Sequence, residues 1–401
     1  MSDPRSGPTT RAVHAGHLDN PFGAVSTPIY QSATFGYPSL AAMIEAFKKG
    51  PAGVVYTRYA NPTILACEAK LADHEGAEAA LVFSSGMAAI TSTLFSLLRP
   101  GDRIACLREI YGGTFEFLSH WADRLDWIVD WVATADADGI ERVLTPDTKV
   151  VYAESPTNPL LRLVDLERLA ARAHAVGAVL VVDNTFATGH LQRPIELGAD
   201  LVCHSATKYL GGHGDLVAGA AMGSRARMDA LWKVRKILGG VMDPQAAWLL
   251  ERSVMTLPLR VERASQSAAA IAAFLARHAF VQRVHYPGLA SHPDHALAGR
   301  QMKSFGAMVT VELAGDLAAS ARFVDSLRLF HLAASLGGVE SLVSVPAASS
   351  HFALTPAERA AAGVTDGMVR LSVGIEDEAD LIADLEQALE RAAQGVEARQ
   401  P

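Results

Sequence analysis

Cysteine is scarce in this chain: among 401 residues only Cys67, Cys106 and Cys203 occur, far apart, with no Cys-x-x-Cys spacing. Three isolated thiols cannot frame a disulfide scaffold or a cysteine-based metal site, so buried free cysteines in a reducing compartment, the cytoplasm, are expected, and no metal. No apolar run approaches the roughly 20 residues that cross a bilayer. Met1 to Asn20 is polar and lacks an apolar targeting core, so no membrane association is expected. Basic residues are outnumbered, 35 against 43 acidic, for a net charge of -8. They are scattered as well, which leaves no basic stripe for a nucleic acid to follow. What the chain does have is apolar residues, 50% of the total. That is enough for more than one sizeable core, and a large domain plus a smaller one is expected.

The most informative stretch is Val202-Cys203-His204-Ser205-Ala206-Thr207-Lys208-Tyr209-Leu210-Gly211-Gly212-His213-Gly214-Asp215. A short apolar run precedes Lys208, hydroxyls flank it, and glycines follow that let backbone approach a ligand closely. In an extended segment Ser205 and Thr207 would face one side, as phosphate-binding hydroxyls should, with Lys208 facing the other. An amine that binds pyridoxal 5′-phosphate covalently needs such a setting. Upstream, Ala178-Val179-Leu180-Val181-Val182-Asp183 is an apolar run of the kind buried on both faces of a parallel sheet, and the carboxylate at its end is not there for packing. Asp183 is therefore the candidate partner of the cofactor's ring nitrogen.

Ser-Ala-Thr-Lys-Tyr-Leu-Gly-Gly-His-Gly-Asp resembles the cofactor-lysine segment of the Cys/Met-metabolism (trans-sulfuration) family of pyridoxal-phosphate enzymes, which includes methionine and cystathionine γ-lyases and cystathionine γ-synthase. The likeness runs from about Thr27 to about Leu389. It implies an α/β fold of the type I pyridoxal-phosphate transferase class, with a mostly parallel sheet in the large domain and a smaller C-terminal α/β domain. The expected division is an arm over residues 1–59, a cofactor domain over 60–257 and a small domain over 258–401.

Along the chain, Pro8, Pro21, Pro28, Pro38 and Pro51 disfavour long regular elements and suggest an extended N-terminal arm. Tyr56-Thr57-Arg58-Tyr59-Ala60-Asn61-Pro62-Thr63 resembles the family's Tyr-x-Arg-x-x-Asn-Pro-Thr. The resemblance implies that Tyr56 and Arg58 bind the cofactor phosphate of a neighbouring subunit, in a dimer and a tetramer of two such dimers. From Asn61 helical and β patterns alternate. The run Ala79-Ala80-Leu81-Val82-Phe83 reads as a buried strand, and Ser84-Ser85-Gly86-Met87 opens a helix, making Gly86 and Met87 candidates for the phosphate. By resemblance, Tyr111 stacks on the cofactor ring and handles protons, Asn158 lies near the ring oxygen, and Arg370 with Ser335 grips the substrate carboxylate.

Those roles imply elimination, or replacement, of a γ-substituent of a small amino acid, with Lys208 as the base and Tyr111 as the acid. Three positions depart from the relatives' patterns. Glu116 stands where cystathionine enzymes resemble Tyr-Gly-Gly-Thr-Asn-Arg and use that Arg for a distal carboxylate, and Gly113 stands where methionine γ-lyases carry a Cys. Ala334 likewise replaces the Glu that cystathionine enzymes tend to place before the matching Ser. A reversed charge at Glu116 favours a neutral or cationic tail, with methionine, canavanine and O-acylhomoserines as candidates and the cystathionine enzymes as the alternative. A regulator carrying a pyridoxal-phosphate domain would need a basic helix-turn-helix at its start, which the proline-rich segment does not offer.

Overall fold

The computed structural model describes residues 6–17, 20–133, 139–349, 352, 355, 359 and 363–397. Seven strands, β1 (Ala79–Phe83), β2 (Arg103–Leu107), β3 (Ile128–Val132), β4 (Thr148–Glu154), β5 (Val179–Asp183), β6 (Leu201–His204) and β7 (Gly219–Gly223), form one sheet in the order β1-β7-β6-β5-β4-β2-β3. Only β7 runs antiparallel to its neighbours. The other pairs are parallel, so six strands deliver their carboxyl ends to one edge. In such sheets that edge is where ligands bind.

Local chemistry explains the elements. Helix Pro62–Glu75 starts with Pro62 in its first turn and the Asn61 side chain accepting from the Thr63 amide, and it stops at Gly76, whose φ of 74° suits a residue without Cβ. Alternation in β1 divides its side chains between two cores. Ala80 and Val82 join the cluster reaching the helices Pro244–Val254 and Leu257–Leu275, while Leu81 and Phe83 join the cluster over β2, β4 and β5. Strands β4 and β5 are buried on both faces almost throughout, which is why they read as unbroken apolar runs.

The long helix Leu257–Leu275 leads to a second sheet: β8 (Val281–His285), β9 (Met308–Leu313), β10 (His331–Leu332), β11 (Leu342–Ser344) and β12 (Met368–Ser372), ordered β10-β11-β12-β9-β8 and antiparallel except between β10 and β11. The α/β class with a mostly parallel main sheet is as expected. Two local expectations need correction. The N-terminal segment carries helices at Pro8–His14 and Leu40–Lys48, since Pro8 opens one and the Ser39 hydroxyl caps the other. Strand β6 ends at His204, and Ser205 to Gly212 is a tight turn held by Lys208 N–H to Ser205 O, Gly211 N–H to Ala206 O and Gly212 N–H to Lys208 O. Lys208 thus leaves the sheet edge from a turn, not from an extended segment.

Candidate active site

The carboxyl ends of β1, β2, β4, β5 and β6 bring together Gly86, Tyr111, Asn158, Asp183 and Lys208. At the β1 end, Ser85 caps helix Gly86–Leu97 through the Ala88 amide, leaving the first amides without intrahelical partners. Gly86 is required here: a Cβ would lie 2.9 Å from the Cβ of Ser205. The helix N-terminus therefore abuts the lysine turn and, with the Ser205 hydroxyl, offers an uncharged nest suited to an anion. The Thr207 hydroxyl is engaged with Ala218, donating to its O at 3.2 Å and accepting from its N–H at 2.9 Å.

Asp183 is buried at the end of β5. Its Oδ1 accepts from the Thr185 hydroxyl at 2.5 Å and the Thr185 amide at 3.0 Å, while the same hydroxyl accepts from the Ser205 amide at 2.9 Å. Thr185 thus ties the carboxylate to the lysine turn, a link that its place two residues after Asp183 could have suggested. Burial pushes the Asp183 carboxyl above its usual range, against the lowering by Thr185. Opposite it in the β4–β5 register is Glu154, also buried, whose carboxyl is pushed well up by burial first and by Asp183 second. Glu154 Oε2 accepts the Tyr111 N–H at 2.7 Å. Glu154 has no part in the sequence-based site, although it ends a strand as Asp183 does.

The Lys208 amine donates to Ser335 Oγ at 2.8 Å. Arg370 donates from Nη2 to the Ser335 carbonyl at 3.1 Å and from Nη1 to Asn158 Oδ1 at 3.0 Å, and its Nε has no partner among the described residues. Neither acceptor carries a charge, so this buried guanidinium remains available to an anion; desolvation lowers its pKa to about 10. Burial, and secondarily Arg370, lowers the Lys208 amine below the usual lysine value. Ser335 holds φ at 153°, a region mostly left to glycine and costing about 1–3 kcal/mol, consistent with a position fixed by its contacts with Lys208 and Arg370.

Tyr56, Arg58 and Glu116 are not brought into this cluster. Arg58 donates to the Lys236 carbonyl and lies over the rings of Tyr59 and Tyr56, at 5.0 and 5.5 Å. Glu116 is exposed on helix Gly112–Trp121, its carboxylate without a partner among the described residues. Met87 is placed beside Tyr111: a Cβ on Gly113 would meet Tyr111 Cε1 at 2.6 Å and Met87 Sδ at 3.2 Å.

Pyridoxal 5′-phosphate fits these residues. The amide and hydroxyl nest suits its phosphate, the Lys208 amine its carbonyl carbon, and the buried Asp183, whose Oδ1 alone is held by Thr185, lacks the positive charge that a protonated ring nitrogen provides.

Residues 9–390 match the family model described as Cys/Met metabolism PLP-dependent enzyme, PLP being pyridoxal phosphate. The chain is 47% identical to the L-methionine gamma-lyase of Pseudomonas putida, with 96% of this chain and 97% of that one covered. It is 43% identical to the cystathionine gamma-lyase of Bacillus subtilis over 95% and 98%. The solved structure of cystathionine gamma synthase from Xanthomonas oryzae pv. oryzae in complex with cystathionine superposes with a TM-score of 0.92 at 41% identity, covering 97% of this chain and 99% of that one. Sequence, fold and site agree, and the chain belongs to the Cys/Met metabolism family of PLP-dependent enzymes.

Proposed function

We propose that the protein is a γ-lyase: it eliminates the γ-substituent of a small amino acid such as methionine, canavanine or an O-acylhomoserine. The observation that carries this reading is the sharing of Ser335 by Lys208 and Arg370. A substrate carboxylate on Arg370 puts the adjoining Cα beside the only amine of the cluster. When bound, PLP supplies the electron sink that makes Cα–H acidic and then allows a group on Cγ to leave. Lys208 Nζ, made less basic by burial and by Arg370, takes the Cα proton as a free base and, once discharged, serves the Cβ proton. Tyr111 Oη protonates the departing group. With PLP bound, Asp183 would hold the ring nitrogen, Asn158 the ring oxygen, and Gly86, Met87, Ser205 and Thr207 the phosphate end. Residues 60–257 would form the cofactor domain and 258–401 the small one.

None of the four phosphate-end residues carries a positive charge, and a phosphate dianion calls for one. Arg58, with Tyr56, is the inferred source, reaching from a neighbouring subunit in a homodimer that pairs into a tetramer. Mixing Arg58→Ala chains with Lys208→Ala chains is expected to regain activity that neither parent has, because a hybrid dimer contains one intact site. No recovery despite demonstrated subunit exchange contradicts the shared site. The three buried free cysteines support a reducing compartment, the cytoplasm.

Relatives named for cystathionine favour a second reading, cystathionine γ-lyase or γ-synthase. The residues at 116 and 334 argue against it: where the cystathionine enzymes resemble Arg and Glu, this chain has an exposed carboxylate, Glu116, and Ala334. Steady-state kcat/KM for canavanine, methionine, O-acetylhomoserine and cystathionine decides between the two. Cystathionine is expected to be the poorest by about tenfold or more, corresponding to about 1.4 kcal/mol, and Glu116→Ala should narrow that gap. A clear preference for cystathionine, or an unchanged gap in Glu116→Ala, removes the role given to Glu116. Release of no γ-substituent from any of the four removes the γ-lyase reading.

A further inference from the structure

We propose that Glu154 is a positioning residue that sets Tyr111 for proton transfer at the γ-position, an inference that rests on the γ-lyase reading above. Strand β4 carries Glu154 to the same edge as Asp183, its register partner on β5. The carboxyl does not simply repeat Asp183, because its Oε2 accepts the main-chain N–H of Tyr111 at 2.7 Å.

Tyr111 needs an anchor of this kind. It begins helix Gly112–Trp121 with φ −50° and ψ 131° and has no side-chain cap of its own. Tyr111 is 48% exposed, so packing alone does not fix it. What constrains it is the backbone on one side and the bare Gly113 on the other, against which Tyr111 Cε1 lies so closely that a Cβ would stand 2.6 Å away. The buried end of a central strand is a rigid support for the acceptor. Removing it leaves the N–H at the root of Tyr111 without its partner and the ring free to drift from the reacting atoms. A displacement of about 1 Å is enough to cost roughly 10²-fold in rate. The charged and titratable groups facing Glu154 are Asp183 from β5, Arg370 from β12, Cys106 from β2 and Tyr152 from its own strand, and the Asn158 main-chain N–H also donates to the carboxyl. Acceptor and charge are therefore separable by an amide replacement.

The test uses PLP-loaded wild type, Glu154→Gln and Glu154→Ala, each with its Tm and cofactor content measured. Three readouts are taken: release of the γ-substituent of methionine, exchange of the methionine Cα hydrogen in D2O, and hydrogen–deuterium exchange mass spectrometry of a peptide spanning residues 108–115 in cofactor-free and loaded protein. Glu154→Ala is expected to lose about 10²-fold in kcat for γ-release, with KM little changed, to keep Cα exchange, which needs Lys208 and not Tyr111, and to lose protection at 108–115. Glu154→Gln, which keeps an acceptor oxygen, should regain both rate and protection. The proposal is overturned if Glu154→Ala releases the γ-substituent at the wild-type rate, if Cα exchange falls as much as γ-release, or if Glu154→Gln is no better than Glu154→Ala. If the wild type exchanges the Cα hydrogen but releases no γ-substituent, the γ-lyase reading fails, and the 108–115 protection still decides whether Glu154 anchors Tyr111.

Discussion

Lys208→Ala is expected to lower kcat for γ-elimination by about 10⁴-fold, the upper end of what positioned proton transfer contributes, because the one amine acts at more than one step. The loss should not come from unfolding. Burial already disfavours the charged amine, and its only hydrogen-bond acceptor among the described residues is the Ser335 hydroxyl, so the shortened side chain leaves no unpaired charge behind. PLP should still bind, more weakly, through the phosphate end and Asp183. A small primary amine added to Lys208→Ala should restore part of the rate by entering the vacated space beside Ser335. Retention of more than about a tenth of wild-type kcat with Tm unchanged would contradict the role given to Lys208, since such a residual is far above what that loss allows.

Asp183→Asn is expected to cost about 10³-fold in kcat, the scale on which removal of one preorganised electrostatic partner is felt. The amide keeps the shape and the bonds to Thr185 but cannot hold the ring nitrogen in its protonated state. Stability should move the other way. In the cofactor-free protein the Asp183 and Glu154 carboxyls sit above their ordinary range, so the folded chain binds more protons than the unfolded one just above pH of about 4. The sign follows: with ν_N greater than ν_U, stability falls as pH rises through the window between the unfolded and folded pKa values, and it is not regained at higher pH. Cofactor-free wild type should therefore lose Tm across that window, and Asp183→Asn should lose less. An equal slope in the two proteins, or a kcat for Asp183→Asn within about tenfold of wild type, would contradict the assignment, since a lost electrostatic partner is felt on a larger scale.

The parts of this site that were legible in the sequence are those whose chemistry conflicts with their surroundings. Asp183 ends an apolar run that packing alone would finish with another apolar residue, and Lys208 stands among glycines and hydroxyls just after a buried strand. Asn61 and Pro62 mark the start of helix Pro62–Glu75 in the sequence, whereas its stop at Gly76 is seen in the structure. The parts that were not legible depend on distant contacts. Strand β7, Gly-Ala-Ala-Met-Gly, has no β-branched residue to signal it. Its smallness is imposed by neighbours: a Cβ on Gly219 would sit 2.0 Å from the Ser85 carbonyl, and one on Gly223 2.7 Å from the Asp200 carbonyl. Glu154 and Thr185 were missed because their significance lies in register and in hydrogen bonds to Tyr111, Asp183 and Ser205, none of which a linear pattern displays. The reading of Ser205 to Lys208 as extended failed for a related reason, since the two-residue period says nothing of where β6 stops. The resemblance implies that Ser335 is a carboxylate ligand, and the structure adds its hydroxyl's contact with Lys208.

The central claim is that Lys208 is the amine around which the five strand ends converge, and borohydride reduction of the PLP-loaded protein followed by peptide mapping tests it most directly. The account predicts a single pyridoxyl label, on the peptide containing Ser205 to Tyr209 and at Lys208, absent from Lys208→Ala. A label on any other lysine, or an undiminished label in Lys208→Ala, would contradict it.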